Sequence, residues 1–211
     1  MTITPRQALK ILHTADVHLD LDGYVADPYT QRYREIIQQA FSTVIDLAIQ
    51  ESVDLLVIAG DLFDSNRPSG DVVDFAIQEL RRAGRPVVMI PGNHDCLNAQ
   101  SIYRQVKLPE ACTNLLLISH PDGERHQLPE HNLVLWGRGM VEHEPSYRPL
   151  GGIPRRQGMP GISRSATVFS WKMTSHRIAP HRSTRGKYVS RDGITSHSAT
   201  VTPFRTCRKA R

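Results

Sequence analysis

The chain has 211 residues, 39% of them hydrophobic and 22% charged, enough for one substantial core and too few for two domains of usual size. No apolar run approaches the roughly 20 residues of a membrane span. The opening MTITPRQALKILHTAD lacks the basic segment, apolar stretch and cleavage site of a secretory signal, so a cytoplasmic, membrane-free address is expected. Three cysteines, Cys96, Cys112 and Cys207, without a C-x-x-C pair, indicate neither a disulfide framework nor a thiolate zinc site. The formal charge of +5 is unevenly distributed: residues 1–156 carry 15 Lys/Arg against 20 Asp/Glu, and residues 157–211 carry 11 Lys/Arg against Asp192 alone. A DNA-binding module working through that basic tail is one reading, but the tail lacks the interleaved aromatics of a specific nucleic-acid surface.

Taken in order, Leu9 to His13 is a short apolar run that reads as a strand. Tyr33, Ile36, Ile37, Ala40, Phe41, Val44, Ile45 and Ala48 recur at helical spacing and predict an amphipathic helix over about residues 30–52. Asp54 to Gly60 is apolar without alternation, as a strand covered on both faces should be. Val72, Val73, Phe75, Ala76, Ile77 and Leu80 predict a second helix that stops at Ala83-Gly84. Val87 to Ile90 is a third strand, and Leu115 to Ile118 and Leu133 to Trp136 are two more. The alternation of strand and helix predicts an α/β sandwich whose first strands are parallel.

Pro145 to Pro160, rich in Pro, Gly and Arg, reads as a linker. Beyond residue 157 the pattern stops: the last 55 residues hold 15 Ser/Thr and no Leu, against 18 Leu in the 156 before them. Such a stretch buries little apolar surface to offset the entropy of ordering it, and a largely disordered tail is expected.

Three polar clusters follow the first three strands: Asp16-Val17-His18, Gly60-Asp61-Leu62-Phe63-Asp64 and Gly92-Asn93-His94-Asp95. The C-terminal edge of such a sheet is where ligands bind. The i, i+2 spacing of Asp16 and His18 would aim both side chains to one side of an extended segment, and Gly60 and Gly92 allow tight turns before Asp61 and Asn93. Carboxylate, imidazole and amide oxygen together suit Mn²⁺, Fe²⁺ or Zn²⁺ better than Ca²⁺ or copper. Asp61, on the middle strand, is placed to bridge two ions, which at roughly 3.5–4 Å apart would serve in-line displacement at phosphorus. His94 could then donate a proton to the leaving oxygen. Each cluster alone is commonly a capping or turn device; it is their joint order, each after a strand, that carries the reading.

The series D-x-H, G-D-x-x-D and G-N-H-D resembles the calcineurin-like metallophosphoesterases. The longer strings HTADVHLD, LLVIAGDLFDSNRPS and VVMIPGNHD look most like bacterial DNA repair exonucleases of the SbcD type. The resemblance covers about residues 9–156. It implies a four-layer α/β/β/α sandwich, here incomplete at the C-terminus, with two divalent metal ions, usually Mn²⁺, hydrolysing DNA phosphodiesters. It assigns Asp16 and His18 to the first ion, Asp61 as the bridge, Asn93 to the second ion, His94 as catalytic histidine and Asp95 as the carboxylate orienting it. Asp64 is left outside this set, because nuclease members differ there. An SbcC-like ATPase is the partner the resemblance implies.

The family also has a downstream strand-end His and a later G-H-x-H. Neither occurs here, and His176, His181 and His197 lack the surrounding glycines. When the free third base of each codon is joined to the first two bases of the next, Pro160 to Val168 can spell W-H-I-A-L-G-H-G, and Thr195 to Pro203 can spell I-A-L-G-H-C-H-P. A frameshift near residues 157–160, real or a sequencing error, would account for the tail. The chain is therefore expected to be an N-terminal phosphoesterase part, residues 1–156, followed by a basic out-of-frame segment, residues 157–211. Two outcomes follow: an impaired enzyme of this lineage, or a non-catalytic remnant of one.

Overall fold

β1 (Lys10–Thr14), β2 (Leu55–Ala59) and β3 (Val87–Ile90) lie side by side and parallel, with Leu12 opposite Leu56 and Ala59 opposite Ile90. The structure is a computed structural model. It describes residues 9–20, 28–142, 144 and 147–153, with the backbone alone for 28–29, 164–168 and 200–203. Between the strands run α1 (Pro28–Gln50) and α2 (Gly70–Arg82), close to the boundaries that hydrophobic spacing predicts. β4 (Leu115–Leu117) adds a parallel edge beside β3, after two short helices, α3 (Ile102–Val106) and α4 (Leu108–Ala111).

Alternate residues of the strands feed two different cores, which is why β2 and β3 are apolar throughout. Leu12, Leu56, Ile58, Val87 and Met89 face the helices and pack with Phe41 and Ile45 of α1 and Ala76 and Leu80 of α2. Leu55, Val57, Ala59, Val88 and Ile90 face the other way, onto Leu133 and Leu135 of a second sheet. That sheet pairs β5 (Glu124–Leu128) antiparallel with β6 (Leu133–Gly137). The result among the described residues is a three-layer α/β/β arrangement, with helices on one face of the parallel sheet and a second sheet on the other. The outer helical layer of the expected four is not among the described residues.

Two stretches of the tail are strands. β7 (Arg164–Val168) runs parallel to β6, and β8 (Thr200–Pro203) pairs antiparallel with β1, completing the order β4-β3-β2-β1-β8. The rest of the segment expected to be disordered lies outside the described residues, as do His176, His181 and His197. Within the expected linker, residues 149–152 form turns. No helix among the described residues is long and apolar enough to cross a membrane.

Ile58, at 0% exposure, sits in the helix-side core. Ile58→Ala should cost about 2–5 kcal/mol through lost transfer energy and a residual cavity. Ile36→Ala, on the outer face of α1 at 55% exposure, should change stability by less than about 0.5 kcal/mol. Urea unfolding of the two variants checks the assignment of faces.

Candidate metal centre

The loops that leave β1 and β2 are stitched together by main-chain bonds before any side chain is considered. Asp16 N donates to Gly60 O (3.1 Å), His18 N to Asp61 O (3.0 Å), Leu19 N to Leu62 O (2.9 Å) and Asp64 N back to Leu19 O (3.0 Å). The pairing carries the parallel alignment of the strands past their ends. Asp16, His18 and Asp61 take left-handed conformations with φ of 52°, 53° and 48°, and Gly60 has φ 101°. Asp16 and His18 therefore converge by left-handed turns, not by the alternation of an extended segment. Asp and His tolerate this region better than most residues, and such conformations cluster at functional sites.

One ligand atom each from Asp16, His18 and Asp61 lies within 4.8 Å of the others, and the same holds for His18, Asp64 and His94. The first set is a mixed carboxylate and imidazole shell, and Asp61 within it is only 4% exposed; it fits a divalent ion of the Mn²⁺, Fe²⁺ or Zn²⁺ type. His18 Nδ1 lies 2.8 Å from Asp64 Oδ1. A carboxylate accepts that bond, so Nδ1 carries the proton and Nε2 is the nitrogen left to ligate.

The third loop is held against the second. His94 N donates to Asp61 Oδ1 (2.8 Å), and a Cβ on Gly92 would stand 2.2 Å from that same oxygen. No residue but glycine lets the turn approach the Asp61 carboxylate this closely. His94 Nδ1 lies 2.8 Å from the Asp64 carbonyl oxygen, and its ring meets that of His18 edge to face at 4.7 Å. A carbonyl only accepts, so Nδ1 carries the proton and Nε2 is the nitrogen left for proton exchange. The His94 side chain is 37% exposed, and Asn93 beside it is half-buried.

Asp95 is placed differently from its expected role. It is fully buried, and its carboxylate accepts from Gly92 N (2.7 Å), Phe63 N (3.2 Å) and the Tyr103 hydroxyl. The contacts that hold the His94 ring come from Asp64, which the sequence reading left aside. Burial above all, with a smaller contribution from Asp61 nearby, pushes the Asp95 carboxyl up to about 6 against the bonds from Tyr103, Gly92 and Phe63 that pull it down. Asp20, two residues past His18, takes φ 60°. It accepts from Ser69 N (2.6 Å) and faces Arg34 Nε at 3.1 Å, tying the first loop to both long helices. Tyr103 and Asp20 carry no spacing signal that would single them out in the sequence.

Cys96 is buried beside Asn98 and Asn66. Trp136 is 6% exposed, and Arg138 bonds to the carbonyls of Pro121 and Arg148.

A profile described as "Calcineurin-like phosphoesterase" matches residues 9–171. The chain belongs to that family. Among curated relatives of this phosphoesterase, the DNA double-strand break repair protein Mre11 of Sulfurisphaera tokodaii is 37% identical over 117 residues, 54% of this chain and 29% of that protein. Mre11 of Methanopyrus kandleri is 30% identical over 153 residues, covering 70% of this chain and 32% of that one. The uncharacterized metallophosphoesterase YhaO of Bacillus subtilis is 34% identical over 109 residues, 48% of this chain and 26% of that protein. The matched part of the chain thus spans less than a third of the length of each. Family membership makes divalent metals the expected cofactors, and the first-ion set provides residues able to hold one.

Two measurements follow. Gly92→Ala should displace the Asp61 carboxylate and weaken Mn²⁺ binding by at least about tenfold, read by titration against the free-ion electron paramagnetic resonance signal. In the metal-free chain, folding raises the Asp95 carboxyl from its ordinary 3.8 to about 6, chiefly by burial. The native state therefore holds the extra proton between those values, and stability from this group falls as pH rises through them, by on the order of 3 kcal/mol. Urea unfolding in chelator at pH 4 and 6.5 should show that component in the wild type and its loss in Asp95→Asn.

Proposed function

We propose that the chain derives from a two-metal DNA phosphodiesterase of repair-nuclease type, and that with this sequence it is an impaired version of that enzyme. The observation carrying the reading is the convergence of Asp16, His18 and Asp61 with His94 beside them. The Mre11 relatives are named for DNA double-strand break repair, which supports DNA as the substrate class. An SbcC-like ATPase as partner and Mn²⁺ as the ion rest on the resemblance of the three motifs.

In this reading Asp16, His18 and Asp61 bind the first ion, and Asp61 and Asn93 supply part of a second site. Bound there, divalent ions would supply Lewis acidity toward a phosphate oxygen. Asp64 fixes both imidazoles: its carboxylate sets the tautomer of His18, and its carbonyl holds His94 by Nδ1. With Nδ1 held by Asp64, His94 keeps Nε2 for proton exchange and, protonated, delivers a proton to the leaving oxygen. Asp95 holds the turn from which Asn93 and His94 project.

A second reading, a non-catalytic remnant, is favoured by one observation. Among the described residues the second-ion site has Asp61 and Asn93, and the two histidine motifs that the family places downstream do not occur in the sequence. Resequencing the gene across the codons for residues 150–211 separates the two. We expect one base gained or lost near residues 157–160 and a corrected chain that reads G-H-x-H and cuts DNA with Mn²⁺. In that corrected chain His94→Ala should lower kcat by about 10²–10⁴ with Mn²⁺ binding retained. An unshifted gene whose product has no nuclease activity would establish the remnant, and an unshifted product that cuts DNA would overturn the impairment.

A further inference from the structure

The helix α3 is only five residues long and contributes nothing to the candidate ligand sets. Yet it is bound at two points to the loops that do. Tyr103, 4% exposed, donates its hydroxyl to Asp95, whose carboxylate also accepts from Gly92 N in the third loop and Phe63 N in the second. Its ring packs against Phe63 with centroids 6.1 Å apart. Asn66, just past the second loop, accepts from Ile102 N (3.0 Å) and donates to Cys96 O (2.9 Å). The two polar links therefore join the start of α3 to both the 61–66 and the 92–96 segments.

We infer that Tyr103 is a positioning residue for the metal centre: through Asp95 it fixes the distance between the loop that carries Asp61 and the turn that carries Asn93 and His94. The inference rests on the metal-site reading above. Its path is short and continuous. The Tyr103 hydroxyl anchors Asp95, Asp95 anchors Gly92 N, and the same turn delivers His94 N to Asp61 Oδ1. Gly92 has no room to shift toward Asp61, since even a Cβ would stand 2.2 Å from its carboxylate. A turn loosened at Asp95 can therefore move only away from Asp61, which removes a donor from the carboxylate of the first-ion set. A buried carboxylate that loses its hydroxyl donor is left under-satisfied, and the turn relaxes to seek a replacement. Tyr103→Phe keeps the ring and its contact with Phe63 and removes only this anchor.

The test is a Mn²⁺ titration of the full chain followed by loss of the free-ion resonance signal, at a temperature where circular dichroism shows each variant folded. Tyr103→Phe should bind Mn²⁺ roughly three- to tenfold more weakly than the wild type, at or below the low end of the loss caused by removing a direct partner of a ligand, because Tyr103 acts through Asp95 and the turn. Leu80→Ala, fully buried near the C-terminal end of α2 where its carbonyl accepts from Asn114, should lose stability and keep its Mn²⁺ affinity, which separates positioning from general loosening of the fold. Wild-type affinity in a folded Tyr103→Phe chain overturns the inference and leaves the metal site standing. A wild-type chain that binds no Mn²⁺ removes both. If Tyr103→Phe does not fold, Asp95→Asn takes its place; unchanged affinity there, or failure of both variants to fold, assigns the pair to the fold alone and overturns the positioning role.

Discussion

The approach of Gly92 to Asp61 is the constraint around which the rest of the site is arranged. A carboxylate in the loop after the middle strand can serve two neighbouring loops only if the third loop comes within hydrogen-bond range of it, and the distance that a Cβ would reach, 2.2 Å, shows how little space separates them. The His94 amide then becomes a fixed donor to Asp61. That bond orients the carboxylate and also places the imidazole next to it. Asp95 reinforces the turn from the opposite side, at the cost of a carboxyl buried with no exposure at all.

This arrangement depends in turn on the sheet. Three parallel strands with matched registers end at a common level, and the main-chain bonds between residues 16–19 and 60–64 keep the first two loops in step beyond the last strand residue. Apolar packing on both faces makes that alignment rigid: residues on one face of β2 enter the helical core and those on the other enter the inter-sheet core. The centre is thus built on the ends of strands anchored in two cores, the kind of support that precise ligand geometry needs.

The long elements were legible because their physics is local. β2 and β3 are continuous apolar runs, α1 and α2 repeat at helical spacing, and the polar clusters stand directly after the strands. What could not be read depends on contacts between distant residues. α3 has fewer than two turns, so no periodicity can develop; ERHQL of β5 has a half-exposed pattern without alternation of apolar residues. The family resemblance assigns Asp95 to the ring of its neighbour His94. In the fold the Asp95 carboxylate is buried against Gly92 N, Phe63 N and Tyr103, and Asp64, thirty residues earlier, holds the His94 ring instead. Nothing in the spacing between residues 95 and 103 announces that a tyrosine will reach back to the carboxylate.

The left-handed backbone at Asp16, His18 and Asp61 changes how substitutions there would have to be interpreted. Alanine is disfavoured in that region by roughly 1 kcal/mol or more per residue, because its Cβ crowds the following carbonyl, whereas asparagine and aspartate adopt it routinely. An alanine scan of these positions would therefore sum two losses, one of ligand chemistry and one of backbone comfort. Asparagine separates them at the two aspartates: it keeps the turn and removes only the charge. The same backbone geometry limits which residue types can occupy the three positions even before any ligand is considered.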